Sequence, residues 1–427
     1  MEKFIIHGGK PLAGEIEVKG AKNSATALIA ASLLFDGEII LNNVPEIEDV
    51  KRMIEIVNSL GIKTEWLEKN KLYLKVSDIN PADLKQEVIC KLRSSVLFIG
   101  SLLSRLSELS LPHPGGCQIG ARPLDAHLMG FEKCGFSVEN SESGLYFKRI
   151  GSPHKEILLS EISPTATVNL ILALCKSDYK AVLYGADYGY SVQELAGFLN
   201  QAGAKIKISG HTIEIEGVKK LHSVEYTVMP DPIETGTFVC LAAATGSELI
   251  IKNSSTDFFA QELEKLKMAQ VGMEIIPRGQ IQGKNLSDII VKPSKLRAVK
   301  KLNDMPYPGF MSDLLSPFAV LMTQAEGTTL IHDWMYEGRT KYVNELIKMG
   351  ANATICDPHR VIIVGPTKLY GQEMEITDLR AGATLVIAGL VAEGESRISN
   401  VYQIDRGYES IESRLKKIGA DIKKVKI

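Results

Sequence analysis

The sequence has no CxxC pair, and Cys90, Cys117, Cys134, Cys175, Cys240 and Cys356 stand at no spacing that suggests a zinc site. No metal is required, and scattered thiols read most simply as free cysteines in a reducing cytoplasm. Long apolar runs are also missing. The longest, such as Ala25 to Phe35, fall short of the roughly 20 residues a membrane helix needs. Met1 to Lys10 lacks the apolar stretch of a secretory signal. Charge of one sign is lacking too: the formal net charge is -2, which points to neither nucleic acid nor an acidic membrane as partner. An anionic small molecule stays open, because local charge differs from the sum. There is no Walker loop, no GxGxxG and no HExxH, so neither ATP nor NAD is implied and no cofactor is expected.

What is present is a repeat. The 427 residues are 45% apolar and 23% charged, enough for two domains with substantial cores. One pattern recurs six times: a compact apolar helix, a strand often announced by Gly, an amphipathic helix, then an apolar-Gly-apolar step that opens a strand pair. The steps are Gly61, Gly135, Gly203, Gly272, Gly350 and Gly419, spaced about 70 residues apart. Val50, Met53, Ile54 and Val57 make one helical stripe, as do Leu124, Leu128 and Phe131, and Ile411, Leu415 and Ile418. Gly after the last turn suits a left-handed helix cap. Ser143-Gly144, Ser209-Gly210 and Asp357-Pro358 supply turns for the hairpins.

The sixth unit ends after one strand, Ala420 to Ile427, and the N-terminal Lys3 to Ile6 can supply its partner. The N-terminus is therefore expected to fold with the C-terminal half. This divides the chain into residues 22–230 and residues 1–21 plus 231–427, two α/β domains of three units each, with a ligand cleft between them.

Six segments concentrate unusual chemistry. Pro112 to Pro123 surrounds Cys117 and Arg122 with glycine and proline. A thiol beside a guanidinium has a lowered pKa and serves proton transfer or nucleophilic attack, but a tight turn with an incidental buried Cys reads equally well. Lys22-Asn23-Ser24 precedes an apolar helix, either as an anion site or as an ordinary cap with a solvated lysine. Asp378-Leu379-Arg380 and Asp405-Arg406 place an acid beside an arginine that can hold phosphate or carboxylate; surface ion pairs are the plainer reading. Asp313 stands at a helix entry, either as a cap or as a carboxylate that orients or deprotonates a hydroxyl. Asp231 to Thr237 reads as a domain joint and helix start.

Taken together, Gly20 to Asn23, Pro114 to His127 (PGGCQIGARPLDAH), Asp231 to Phe238 (DPIETGTF), Thr377 to Ala381 (TDLRA) and Ile404 to Glu409 (IDRGYE) resemble the UDP-N-acetylglucosamine enolpyruvyl transferase family. The resemblance spans essentially the whole chain. It implies an inside-out α/β barrel of two domains that closes on its substrates, phosphoenolpyruvate and UDP-N-acetylglucosamine, at the first committed step of peptidoglycan synthesis. It assigns Cys117 as general acid toward the methylene carbon and as the thiol that fosfomycin alkylates. Lys22, Arg122 and Arg406, with Arg380 and its neighbour Asp378, would surround the phosphate and carboxylate of phosphoenolpyruvate, and Asn23 the reacting groups. Asp313 would bind the sugar 3-hydroxyl and act as candidate base. Arg93, Arg122, Pro123, Leu124, Asp125, Ala126, Ser163, Met335 and Arg339, joined by Glu337, would line the sugar-nucleotide site.

Glu161 stands where the resemblance implies Lys, Pro164-Thr165 where it implies small residues such as Val-Gly, and Pro232 where Arg is common. These departures bear on the acceptor, so a paralogous enolpyruvyl transferase with another acceptor is the alternative. A 5-enolpyruvylshikimate-3-phosphate synthase fits the Cys loop less well. A non-catalytic binding protein would have lost the Cys, Lys, Arg and Asp set that is intact here.

Overall fold

The computed structural model describes residues 2–76, 79–81, 84, 86–115 and 123–426. Two compact units emerge, one of residues 20–115 and 123–229, the other of residues 2–19 and 230–426.

In the first unit, three helices form the centre: Lys22–Ala31, Leu97–Leu103 and Pro164–Leu174. They are apolar on nearly every side, as a helix walled in by other elements must be. Small residues let them approach closely. A side chain at Gly100 would put its Cβ 2.2 Å from the carbonyl oxygen of Asn169. The Gly100 N–H instead donates to Asn169 Oδ1 at 2.8 Å, and Ser101 Oγ donates to the carbonyl of Ala30 at 2.6 Å.

Sheets flank this centre, one per repeat. Each joins a hairpin to the strand that precedes it in the same repeat. The first contains Glu38–Asn42, Lys63–Glu68 and Lys71–Lys75; the second Glu108–Leu111, Phe136–Ser141 and Gly144–Arg149; the third Lys180–Tyr184, Lys205–Ser209 and Thr212–Glu216. A short parallel strand from the preceding repeat extends the third sheet, Glu156–Leu158 beside Lys180–Tyr184. Val224–Thr227, which follows the third repeat, returns to lie parallel to Glu38–Asn42 in the first. Strand pairing thus ties the third repeat both to the second and back to the first.

The second unit repeats the scheme around Pro232–Ala244, Leu315–Thr323 and Leu379–Val391. Its closure uses both chain ends. Glu2–His7 lies antiparallel to Asp421–Lys426, with Glu2 opposite Lys426 and His7 opposite Asp421. Ala13–Glu17 then runs parallel to Glu248–Ser255 in the sheet of the fourth repeat. The sixth repeat therefore takes its missing strand from the N-terminus.

Where the chain leaves each unit, a buried glutamate holds the backbone. Glu194 accepts the Met229 N–H at 2.9 Å and the Tyr226 hydroxyl at 3.0 Å. Glu234 accepts the Lys19 N–H at 2.7 Å and both terminal nitrogens of Arg414, at 2.6 and 3.0 Å.

One element of the repeat differs from the sequence reading. Gly61, Gly135, Gly203, Gly350 and Gly419 have positive φ at the ends of their helices, but Gly272 does not. In the fourth repeat the helix Ala260–Met268 stops earlier, and Gln270, with φ 58°, takes the left-handed position. Gly272 opens the strand Gly272–Ile281 instead. The period of the apolar pattern had hidden a two-residue offset.

Candidate active site

In the unit of residues 2–19 and 230–426, three distant sequence segments converge on Asp313. This residue sits in the 3-10 turn Ser312–Leu314, ahead of the helix Leu315–Thr323. Glu262 fixes the entry by accepting the Met311 N–H at 2.7 Å. The Asp313 carboxylate lies between two arginines. Arg380 Nε donates to Oδ2 at 3.0 Å, and Arg339 donates to Oδ1 through Nη2 and to Ser312 Oγ through Nη1 at 3.2 Å. Burial by itself raises the Asp313 pKa, but the Arg380 and Arg339 charges and their hydrogen bonds hold it well below the usual carboxylate range. Asp313 is thus neither a cap nor, in this arrangement, a ready base. It is a locked carboxylate, with its side chain still 24% exposed on one side.

Asp378 has a different task from the one its spacing suggested. Its Oδ1 accepts the backbone N–H groups of Arg380 at 2.9 Å and Ala381 at 3.1 Å, capping the helix Leu379–Val391. It sets where Arg380 starts, and Asp313 holds the Arg380 head. The Arg380 guanidinium also lies 5.5 Å from the centre of the buried Tyr408 ring. The second acid–arginine pair separates as well: Arg406 donates to Gln403 Oε1 at 3.0 Å, while Asp405 accepts Lys424 at 2.7 Å. Both arginines are buried, so neither belongs to a surface ion pair. Met335 is half-buried and Glu337 exposed. Pro232 is buried at the first turn of its helix, capped by Asp231, where the missing N–H has no intrahelical partner to lose.

In the unit of residues 20–115 and 123–229, Lys22 opens the helix Lys22–Ala31, whose N-cap, Ala21, makes no side-chain cap bond. Its ammonium lies 2.7 Å from the buried Asp49 carboxylate. Asn23 donates to the Tyr190 hydroxyl at 2.8 Å. Arg93 begins the turn Arg93–Val96. Pro123 is exposed and Leu124 half-buried; Asp125 starts the helix Asp125–Lys133, and Ala126 is buried in its first turn. Ser163 caps the helix Pro164–Leu174 by accepting the Ala166 N–H at 3.3 Å. Glu161 is exposed. Cys117 and Arg122 lie outside the described residues.

His127, the last residue of PGGCQIGARPLDAH, is buried in a hydrogen-bond network that its spacing does not announce. Asn169 Oδ1 accepts from Gly100, so the Asn169 amide nitrogen faces His127 Nδ1 at 2.9 Å. Nδ1 must then accept, which places the proton on Nε2, 3.0 Å from Thr165 Oγ1. Burial, aided by the Arg93 charge, lowers the His127 pKa from 6.5 to about 3. Neutral His127 therefore favours the folded state fully above about pH 6.5, and this contribution falls away as pH drops toward 3. A His127→Gln variant is expected to lose less stability than the parent between pH 6.5 and 4. Urea midpoints across that range check it; parallel curves would mean that His127 does not control acid sensitivity.

Comparisons with known proteins agree along the whole chain. The family model of EPSP synthase (3-phosphoshikimate 1-carboxyvinyltransferase) matches residues 6–415. The chain belongs to the EPSP synthase family. Within it, the UDP-N-acetylglucosamine 1-carboxyvinyltransferase of Treponema denticola is 40% identical, covering 99% of both chains. That of Borreliella burgdorferi is 38% identical, covering 100% of both. Solved structures show the same enolpyruvyl transferase fold. The enolpyruvyl transferase NikO from Streptomyces tendae has a TM-score of 0.88 at 23% identity, covering 99% of both chains. EPSP synthase from Acinetobacter baumannii has 0.76 at 18%, covering 100% of both. Family membership makes this chain a transferase, and no helix among its described residues is long and apolar enough to cross a membrane.

Proposed function

We propose that this chain transfers the enolpyruvyl group of phosphoenolpyruvate to the 3-hydroxyl of UDP-N-acetylglucosamine and releases phosphate, in the cytoplasm, at the entry to peptidoglycan synthesis and so to cell-wall growth and division. The observation that carries the reading is the end-to-end match to transferases of that name at about 40% identity. Residues 22–230 and residues 1–21 with 231–427 would act as two domains with the substrates between them.

In the addition step, the 3-hydroxyl oxygen bonds to C2 of phosphoenolpyruvate while C3 takes a proton. Cys117 would give that proton and Asp313 receive the one from the hydroxyl. In the elimination step the bond from C2 to the phosphate oxygen breaks, C3 loses a proton and the double bond returns. Lys22, Arg122, Arg380 and Arg406 would stabilise the bound anion and the departing phosphate, with Asn23 at the reacting groups. Asp378 would contribute through its hold on Arg380. Arg93, Pro123 to Ala126, Ser163, Met335 and Arg339 would receive the sugar nucleotide. An anionic substrate also competes with Asp313 for Arg380 and Arg339. Each arginine it draws away raises the basicity of Asp313, which would couple base strength to substrate binding.

The test is phosphate release from phosphoenolpyruvate with and without UDP-N-acetylglucosamine, with the product weighed. Release that needs both substrates, a product heavier by one enolpyruvyl group, and loss of turnover with Cys117→Ser or after fosfomycin are expected. A folded protein that releases no phosphate would overturn the acceptor assignment. One feature favours a second reading, a modified acceptor: Glu161 is exposed beside a helix start where Thr165 is tied to His127. Release with a different sugar nucleotide alone would select it.

A further inference from the structure

Two acids lie buried together close to Arg339. The strands Lys301–Asn303 and Gly327–His332 are parallel neighbours, with Leu302 opposite Ile331 and Asn303 opposite His332. The next residues, Asp304 and Asp333, therefore leave the sheet side by side. Neither is more than 4% exposed. The segment that follows is built on them. Asp304 Oδ1 accepts the Trp334 N–H at 2.6 Å, and the Met335 N–H lies close to the same carboxylate. Asp333 Oδ1 accepts the Tyr336 N–H at 2.9 Å. Two backbone donors of one short segment thus close on the pair of acids, one on each.

The pair is one hydrogen short. Asp304 Oδ2 is enclosed and has no donor among the described residues. The Asp333 carboxyl is within hydrogen-bonding reach of Asp304, so a proton on the pair supplies the missing bond. Two ionised carboxylates at this depth would repel each other with little solvent to screen them. The surrounding groups do not cancel that charge. Arg339 faces the pair but is engaged by Asp313 and lies near Asp378. The Tyr342 phenol lies near Asp333, and the Arg339 guanidinium lies against the Tyr336 ring, 5.2 Å from the ring centre. His359 reaches the Asp333 carbonyl oxygen through Nδ1 at 2.7 Å, not its carboxylate. Burial and the Asp304 charge together push the Asp333 pKa up to about 7.

We propose that Asp304 and Asp333 share one proton, that this proton holds the backbone of Trp334 to Tyr336, and that the pair thereby positions Met335 and Arg339. They are positioning residues, and losing the proton loosens the segment. The link to the acceptor rests on the function proposed above; the shared proton does not. The sign is fixed: the protonated pair, present at lower pH, is the ordered state, and order declines as pH rises through neutrality.

Trp334 is 58% exposed and reports on the segment directly. Trp66 is the other of the two tryptophans, so the experiment uses the full chain with Trp66→Phe and follows Trp334 fluorescence between about pH 5.5 and 8.5. A transition near neutrality is expected. It should vanish when Asp333→Asn is added, because the amide donates the same hydrogen bond without titrating. Asp304→Asn serves as a second variant if that one fails to fold. A flat signal in the Trp66→Phe protein would overturn the proposal. So would a transition that persists in Asp333→Asn, which would belong to a group outside the pair. The substrate arm measures KM for UDP-N-acetylglucosamine across the same range. KM should rise several-fold through the transition and stay level in Asp333→Asn. A level KM beside a real fluorescence transition would overturn the positioning role. An inactive protein would count against the proposed function and leave the fluorescence result to decide the shared proton.

Discussion

Replacing Asp313 by asparagine is expected to cut enolpyruvyl transfer by about 100- to 10,000-fold, with KM for phosphoenolpyruvate no higher than in the parent. The two halves of this expectation come from the same geometry. Asp313 is the counter-charge of Arg380 and Arg339. Removing its charge takes away the proposed base and leaves two guanidiniums short of an anion. Those guanidiniums then hold a substrate anion at least as well as before. A purely structural Asp313 predicts the opposite division, with KM raised and kcat nearly kept. Steady-state kinetics at a fixed pH therefore distinguish the roles. The variant should also lose any pH dependence that comes from releasing Asp313 on substrate binding.

A second large effect is expected at Glu234 and Arg414, which have no part in the proposed chemistry. Their side chains are 4% and 11% exposed and joined by two hydrogen bonds. Arg414 also donates to the carbonyl oxygen of Glu17, and its guanidinium lies 4.9 Å from the Phe238 ring centre. Arg414→Met should lower the unfolding free energy by about 3–5 kcal/mol, because it strands a buried carboxylate. Glu234→Leu should cost a similar amount, by stranding the arginine and leaving the Lys19 N–H without its acceptor. The double variant should cost clearly less than the sum of the two, since neither buried charge remains. Urea midpoints for the four proteins give the coupling. Additive losses would mean that the pair acts as two independent contacts.

The repeat was readable because it is written in local terms. Val50, Met53 and Val57 fall on one face of a helix whatever surrounds them, and all three are buried. The short sixth unit and the strand-like N-terminus were each visible alone, and only one pairing completes both. The Gly272 offset escaped because a helix end is set by cap geometry, and Gln270 can adopt the left-handed conformation in place of glycine. Asp378 and Arg380, and Asp405 and Arg406, take separate partners for a related reason. Proximity in sequence marks the backbone that Asp378 caps, but it does not mark where a long arginine side chain ends.

The sequence by itself determined the six repeats, the return of the N-terminus to the last sheet, the family and the residue types its chemistry needs. All of these depend on periodicity, turn residues and short motifs, which are properties of neighbours in the chain. Tertiary structure alone decided protonation and partnership. It locked Asp313 between arginines from two other segments, fixed the tautomer of His127 through Asn169, and buried Asp304 against Asp333. A side chain's charge depends on which solvent and which opposite charges surround it, and the groups that decided it here stand from 26 to 67 positions away.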